Sequence, residues 1–238
     1  MNHWQTDLSS CFARAQTAQD IFHILESAAG ELGFEHCAYG LRTPLPLSNP
    51  RVIIHNNYPE RWKAQYLERG YLASDPTVRH AAKTCVPLAW TADSGDAADQ
   101  PFWSEARAHG LRHGWCQSTT DACGVAGMLT LARGCEPLTT AELDANELKM
   151  RWLINAVHLN MTRVHEAQIN FTPDVRLSRR EVEVLQWTGD GKTSSEIAEI
   201  LTLSVDTVNY HITKAVNKLH CANKTAAVVR AVVLGLLG

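Results

Sequence analysis

Between Asn56 and His80 the chain reads NNYPERWKAQYLERGYLASDPTVRH. Trp62 and Tyr66 fall one helical turn apart, Tyr58 precedes the helix, and Asp75 lies beyond its end. Large apolar planes, an indole N–H, phenol hydroxyls and one carboxylate suit a small amphipathic ligand, which needs apolar area and a few orienting polar groups. The same residues also fit an ordinary core, with Trp62 and Tyr66 packed inside and Asp75 capping a helix ahead of Pro76. Spacing alone favours the core.

Other chemical constellations fall away on inspection. The stretch WTGDGKTSSEIAEIL places Gly-Lys-Thr before a helix, as nucleotide-binding loops do, but Gln186 stands where such a loop needs its first glycine. The preceding SRREVEVLQW is charged and helix-like where a buried strand is required. His109, His113 and Cys116 form a potential zinc trio, yet Gly110 and Gly114 interrupt any shared helix and no second ligand pair has metal spacing. Neither Cys116 nor Cys123 sits in a nucleophile motif, and no H-x-H-x-D-H metal cluster is present. The sequence therefore predicts no catalytic residue, no metal and no cofactor.

The elements that must hold these residues fall into two groups. A chain of 238 residues with 45% hydrophobic and 20% charged residues buries a real core in one or two domains. The polar start MNHWQTDLSS is unlike a signal peptide, and no run of about 18 apolar residues exists to span a membrane. Seven scattered cysteines without C-x-x-C fit reduced thiols, so the expected location is the cytoplasm. Residues 1–165 alternate helical and extended stretches. DIFHILESAAGELG lines up Ile21, Leu25, Ala28 and Leu32 and stops at Gly33, HCAYGLR, RVIIH, VPLAW, GWCQSTT and VAGMLTLAR read as strands, and a long helix aligns Met150, Leu153, Ile154, Val157, Met161 and Val164. This predicts an α/β unit, an α-β-α sandwich with a largely antiparallel sheet.

Polar HEAQINFTPDVR marks a linker over 166–175, and residues 176–238 become purely helical. From Pro173 onward there are eight basic and seven acidic residues, against fourteen and eighteen in the remainder, a tilt that permits contact with nucleic acid. Ser178 with Glu181 and Thr193 with Glu196 fit capping boxes, and Ser204 and Asn223 are further caps, giving four short helices. In this frame GDGKT is a turn, with Gly191 in the left-handed region, Thr193 capping the next helix and Lys192 at the surface. That second helix should bury Ile197, Ile200 and Leu201. The third places Val208, Ile212, Ala215 and Leu219 inward and Asp206, Tyr210, Thr213, Lys214 and Asn217 outward, flanked by Asn209 and Lys218. A short helix, a tight turn and a polar second helix fit a helix-turn-helix, although a small bundle with a solvated face has the same pattern.

Residues 176–237, with Glu181, Leu185, Gly191, Ile197, Val208, His211, Lys218 and Leu219, resemble the DNA-binding domain of the LuxR/FixJ class. The resemblance implies an all-α four-helix helix-turn-helix unit that binds double-stranded DNA as a homodimer, often through its last helix, which here aligns Val229, Val232, Val233, Leu236 and Leu237. Lys192, Thr193, Asn209, Tyr210, Thr213, Lys214, Lys218 and Lys224 are the expected DNA-binding residues. Asn209 and Thr213 replace residues that are often basic in the class. The region around Trp62, with PLAW and FWSEARAHGLRHGW, resembles the autoinducer-binding domain of LuxR-type quorum-sensing receptors, which recognise N-acyl homoserine lactones. By that likeness Trp62 donates to the lactone carbonyl, Asp75 accepts from the amide N–H, Tyr58 and Thr130 bind the acyl carbonyl, and Tyr66 and Trp90 pack around ring and chain. Gly114 matches a family glycine near the pocket, whereas GWCQSTT lacks a proline common in this strand. The expected protein is a ligand-responsive transcriptional regulator without enzymatic activity. The alternatives are a ligand-independent or redox-responsive regulator with an altered pocket and, less in keeping with the motifs, a lactone-processing enzyme.

Overall fold

The computed structural model describes residues 3–93, 96–165 and 175–237. The chain divides into two compact units, one comprising Met1–Thr43, Pro50–Thr120 and Val125–Ile169, the other Pro44–Asn49, Asp121–Gly124 and Asn170–Gly238. The expected linker, apart from Val175, lies outside the described residues.

The first unit runs α1 (His3–Arg14), α2 (Ala18–Glu31), β1 (His36–Arg42), β2 (Val52–Asn56), α3 (Glu60–Glu68), a 3-10 turn (Tyr71–Ala73), α4 (Pro76–Ala81), β3 (Leu88–Thr91), α5 (Gln100–Ala108), β4 (His113–Thr120), β5 (Ala126–Arg133) and α6 (Thr140–Val164). The five strands lie in the order β2-β1-β5-β4-β3, each antiparallel to its neighbours. Side chains alternate across a strand, so Cys37, Tyr39 and Leu41 of β1, Trp115 of β4 and Leu129 and Leu131 of β5 share one face. They enter one core with Ile21, Leu25 and Ala28 of α2 and Met150, Leu153, Ile154, Val157 and Met161 of α6, the two helical stripes visible in the sequence. A Thr17–Asp20 capping box starts α2, and Gly33 leaves it at φ +85°, a conformation that glycine adopts without strain. Helix α1 was not foreseen in the polar start. Its Trp4, Leu8 and Phe12 recur every fourth residue and pack on this core. The Trp4 indole also donates to Glu31 at 2.7 Å and meets Trp152 edge-on at 5.7 Å.

The second unit contains α7 (Arg179–Gly189), α8 (Ser194–Leu201), α9 (Val205–Lys218) and α10 (Lys224–Val233). Both expected capping boxes form, and Ser204 and Asn223 cap α9 and α10. Gly191 takes φ +85° in the turn between α7 and α8. Val184, Ile197, Ala198 and Val208 make one small core, and Leu185, Ala215, Leu219, Ala227 and Ala231 another. Two expectations are corrected. Ile200 is 43% exposed, because its place on the inner side of α8 is taken by Ala198. The last helix ends at Val233, and Leu236 and Leu237, beyond its end, pack back on the unit's own core. The expected continuous outer stripe is thus reduced, with Val232 exposed and Val229 and Val233 half-buried.

Candidate functional site

The second face of the sheet is covered by a smaller, aromatic cluster. Trp62 of α3 and Phe102 and Trp103 of α5 are its buried aromatics, and Tyr58, Tyr66, Tyr71 and Trp90 pack around them. Beneath lie small side chains: Ala38 pairs with Thr130, which pairs with Cys116, and Gly40 pairs with Met128. A methyl group built on Gly40 would meet nothing within 4 Å, so this part of the face has room. Gly114 is the reverse case. A methyl there would lie 2.3 Å from both the Leu131 carbonyl and Trp90 Cζ2, so its absence lets Trp90 lie flat against β4.

Asp75 is the polar centre of this face. It is the N-cap of α4, with Pro76 starting the helix. Its Oδ1 accepts from the Thr77 N–H at 2.8 Å and the Thr77 hydroxyl at 2.7 Å, while Oδ2 accepts from the Tyr66 hydroxyl at 3.0 Å. A carboxylate has about four acceptor positions, so a ligand N–H can add to the set. Burial raises the Asp75 pKa, and the Thr77 and Tyr66 donors only partly offset it. Burial, with Asp75 as the nearby charge, also pushes the Tyr58 and Tyr66 phenols and the Cys116 thiol well up. The three stay protonated around one buried carboxylate. A thiol so held is a poor nucleophile, which weighs against Cys116 as a redox sensor.

Trp62 is ringed by Tyr66 at 5.8 Å, Tyr71 at 5.9 Å, Phe102 at 5.7 Å and His109 at 5.6 Å. Trp90 stacks on Trp103 at 5.1 Å, and its buried indole N–H has no partner among the described residues. The structure thus gathers Tyr58, Trp62, Tyr66, Asp75 and Trp90 on one face of the sheet, with Thr130 in the strand beneath. The core reading of Asp75 holds as geometry, since the residue is a helix cap. However, asparagine caps as well as aspartate, so capping does not explain a buried charge. Tyr71, Phe102, Trp103 and Glu105 were not singled out from the sequence, and His109 was weighed there only as a zinc ligand. The signal for the α5 members was the spacing of Phe102, Ala106 and His109 in FWSEARAHG, which puts them on one side of a helix.

In the helical unit, Asn209, Tyr210, Thr213 and Lys214 are exposed along α9, as are Thr193 and Lys224 at helix starts, while Lys192 is half-buried. Tyr210 stands 57% exposed with the Lys214 ammonium 5.5 Å from its ring centroid. Asn209 Oδ1 accepts from the Ser194 hydroxyl at 2.8 Å, which fixes its amide relative to α8. Lys218 differs from the other lysines. Its ammonium donates to buried Glu181 at 2.7 Å and to the Arg176 carbonyl at 3.1 Å. Burial acts to raise the Glu181 carboxyl, but Lys218 and the Ser178 N–H outweigh it and leave the pKa below the usual range. Lys218 is thereby a tie within the unit more than an outward charge.

Residues 17–161 match the family described as autoinducer binding domain, and residues 175–231 match bacterial regulatory proteins, luxR family. The chain is 41% identical to the transcriptional activator protein AnoR of Acinetobacter nosocomialis over 239 residues, covering 100% of both. A crystal structure of Escherichia coli SdiA superposes with a TM-score of 0.77 at 34% identity, over 99% of this chain and 98% of that one. The N-acylhomoserine lactone-dependent LuxR family transcription factor CepR2 of Burkholderia cenocepacia superposes with a TM-score of 0.62 at 34% identity, over 67% of this chain and 93% of that one.

Proposed function

The chain belongs to the LuxR family of autoinducer-binding transcriptional regulators, and on that premise we propose that its ligand is an N-acyl homoserine lactone held by Tyr58, Trp62, Tyr66, Asp75, Trp90 and Thr130. Its family is one of regulators that bind an autoinducer and DNA, not of enzymes. The observation that carries the lactone reading is Asp75, a carboxylate buried to 7% exposure among protonated phenols on the loosely covered face of the sheet. An amide N–H supplied by a ligand compensates that charge with a hydrogen bond stronger than a neutral acceptor gives. The lactone dependence of CepR2 supports the same class.

In this proposal residues 1–165 sense the ligand, 166–175 link, and 176–238 bind DNA as a homodimer in the cytoplasm. Among the described residues no helix is long and apolar enough to cross a membrane. Ligand that binds only the folded domain stabilises it by RT ln(1 + [L]/Kd), raising the concentration of protein able to place two α9 helices on a two-fold site. Asn209, Tyr210 and Thr213 face the bases; Lys192, Thr193, Lys214 and Lys224 contact phosphate. Lys218 supports them through Glu181. Expression with and without lactones of graded acyl length, followed by mass spectrometry of the purified protein, tests the ligand class. Retention of an intact lactone with a gain in soluble yield supports it; purification free of every lactone with unchanged yield contradicts it.

A further inference from the structure

Three of the residues proposed to hold the ligand, Trp62, Tyr66 and Asp75, come from one short stretch of chain, and a carboxylate outside that stretch, Glu105, accepts two hydrogen bonds from it. Residues 60–75 supply Trp62, Tyr66 and Asp75, and pass through Gly70 at φ +64° between α3 and the 3-10 turn. On their outer side Leu67 and Leu72 are exposed. On their inner side Glu105 of α5 accepts from Gln65 Nε2 of α3 at 2.5 Å and from the Tyr71 hydroxyl at 2.6 Å, both on Oε2. Arg69 Nη2 lies 3.9 Å from Oε1 of the same carboxylate. At the C-cap of α5, His109 Nε2 meets Gln65 Oε1 at 2.9 Å, so the Gln65 amide is gripped at both ends.

These bonds set the aromatic walls. Tyr71, fixed through its hydroxyl, lies 5.2 Å from Phe102 edge-on and stacks on Trp62 at 5.9 Å. Without Glu105, the tips of Gln65 and Tyr71 lose their common acceptor while their neighbours on α5 stay in place. We propose that Glu105 is a positioning residue that latches residues 60–75 onto α5 over the bound ligand and thereby sets how long the ligand stays. It touches the walls of the site and not the ligand. The proposal rests on the lactone reading above. Charge-assisted hydrogen bonds are roughly twice as strong as neutral ones, so Glu105→Gln weakens the latch and Glu105→Ala removes it.

The test uses the full chain and the lactone that wild-type protein retains best from a series running from N-butanoyl to N-dodecanoyl homoserine lactone. Dissociation of the labelled lactone from preformed complex is compared for wild type, Glu105→Gln, Glu105→Ala, Tyr71→Phe, the double variant Tyr71→Phe/Glu105→Gln, and Arg107→Ala, which removes the ion pair from α5 to Asp93 in the segment after β3. The latch predicts dissociation faster by roughly tenfold for Glu105→Gln, more for Glu105→Ala, with association nearly unchanged. Tyr71→Phe should then add little once Glu105 is already changed, whereas Arg107→Ala should match wild type. Equal dissociation rates in Glu105→Gln and wild type, or additive effects of Tyr71 and Glu105, would overturn it. If wild type retains no lactone, the lactone reading fails separately. The latch is then judged by amide hydrogen exchange over residues 60–75 in ligand-free protein: faster exchange in Glu105→Ala than in Arg107→Ala upholds it, and equal exchange refutes it.

Discussion

The two faces of the one sheet are built from neighbouring residues of the same strands, yet they are packed to different ends. On the face toward α1, α2 and α6, Cys37, Tyr39, Leu41, Trp115, Leu129 and Leu131 are each no more than 1% exposed. On the opposite face Cys116, Thr130 and Ala132 are buried as well, but Ala38, Gly40 and Met128 are only half-buried, and Ile54 at the edge is exposed. The first face is filled by aliphatic helical stripes. The second is roofed by aromatic rings, with the Tyr66 hydroxyl bonded to Asp75 and the Tyr71 hydroxyl to Glu105. The difference separates the part of the unit that makes it fold from the part that has room for something else.

The largest expected effect lies on the filled face. Leu153→Ala should cost about 2–5 kcal/mol in urea denaturation, because a fully buried side chain is deleted where neighbours cannot collapse into the gap. A loss under about 1 kcal/mol there would erase the distinction between the faces. Glycines give the next contrast. A methyl on Gly127 would lie 2.3 Å from His158 Nδ1 and 2.9 Å from the Tyr39 oxygen, which are themselves hydrogen-bonded at 2.7 Å. Gly127→Ala should therefore lose roughly 1–3 kcal/mol by overpacking, whereas Gly40→Ala should leave the ligand-free melting temperature alone and change which acyl length is retained.

Asp75→Asn should raise the lactone midpoint at least about tenfold, from loss of a charged acceptor, without lowering ligand-free stability. The sign follows from burial. A carboxyl whose folded pKa is raised above 3.8 binds protons more tightly in the folded state, so its charge opposes folding as pH rises through the folded pKa, and the neutral amide removes that penalty. An unchanged lactone midpoint would instead leave Asp75 as a helix cap only, a role that asparagine also fills.

The smallest expected effect is an acid sensitivity of the filled side. His55 Nε2 meets His165 Nε2 at 3.3 Å at the C-terminal cap of α6, with Phe22 of α2 beside it. Burial first, and His165 second, lower the His55 pKa from 6.5. His23 and Glu26 of α2 and Lys63 of α3 line the same groove. Unfolded His55 then takes up protons before the folded form does. The contribution is fully present above about pH 6.5 and declines as pH falls toward the folded pKa. Melting temperatures of His55→Asn should fall less over that interval than those of wild type.

Much of this was legible in the sequence because it rests on local rules. Capping residues announced the starts of α7 to α10, and four-residue repeats announced the inner faces of α2 and α6. The proximity of Trp62, Tyr66 and Asp75 followed from one helix and its exit turn. What could not be read depends on distant partners. Glu105 is an ordinary charged residue until α5 is laid beside α3, and Lys218 reads as a free surface lysine until α7 brings Glu181 beneath it. The polar start hid α1, whose three apolar anchors are diluted by nine other residues in a twelve-residue helix. The end of α10 was misjudged because an apolar run shows no boundary until Gly235 turns the chain at φ +65°.

The central claim, that the loosely covered face binds the lactone, is tested most directly by titrating lactone into Trp62→Phe and Trp115→Phe, one tryptophan from each face, both almost fully buried. Phenylalanine keeps an aromatic plane and removes the indole donor. Leaving the lactone carbonyl unpaired should cost about 1–3 kcal/mol, which shifts the midpoint of Trp62→Phe roughly 5- to 150-fold. Trp115→Phe should lower the stability of ligand-free protein while its folded fraction binds lactone with wild-type affinity. Equal midpoint shifts in the two variants, or none in Trp62→Phe, would contradict the account.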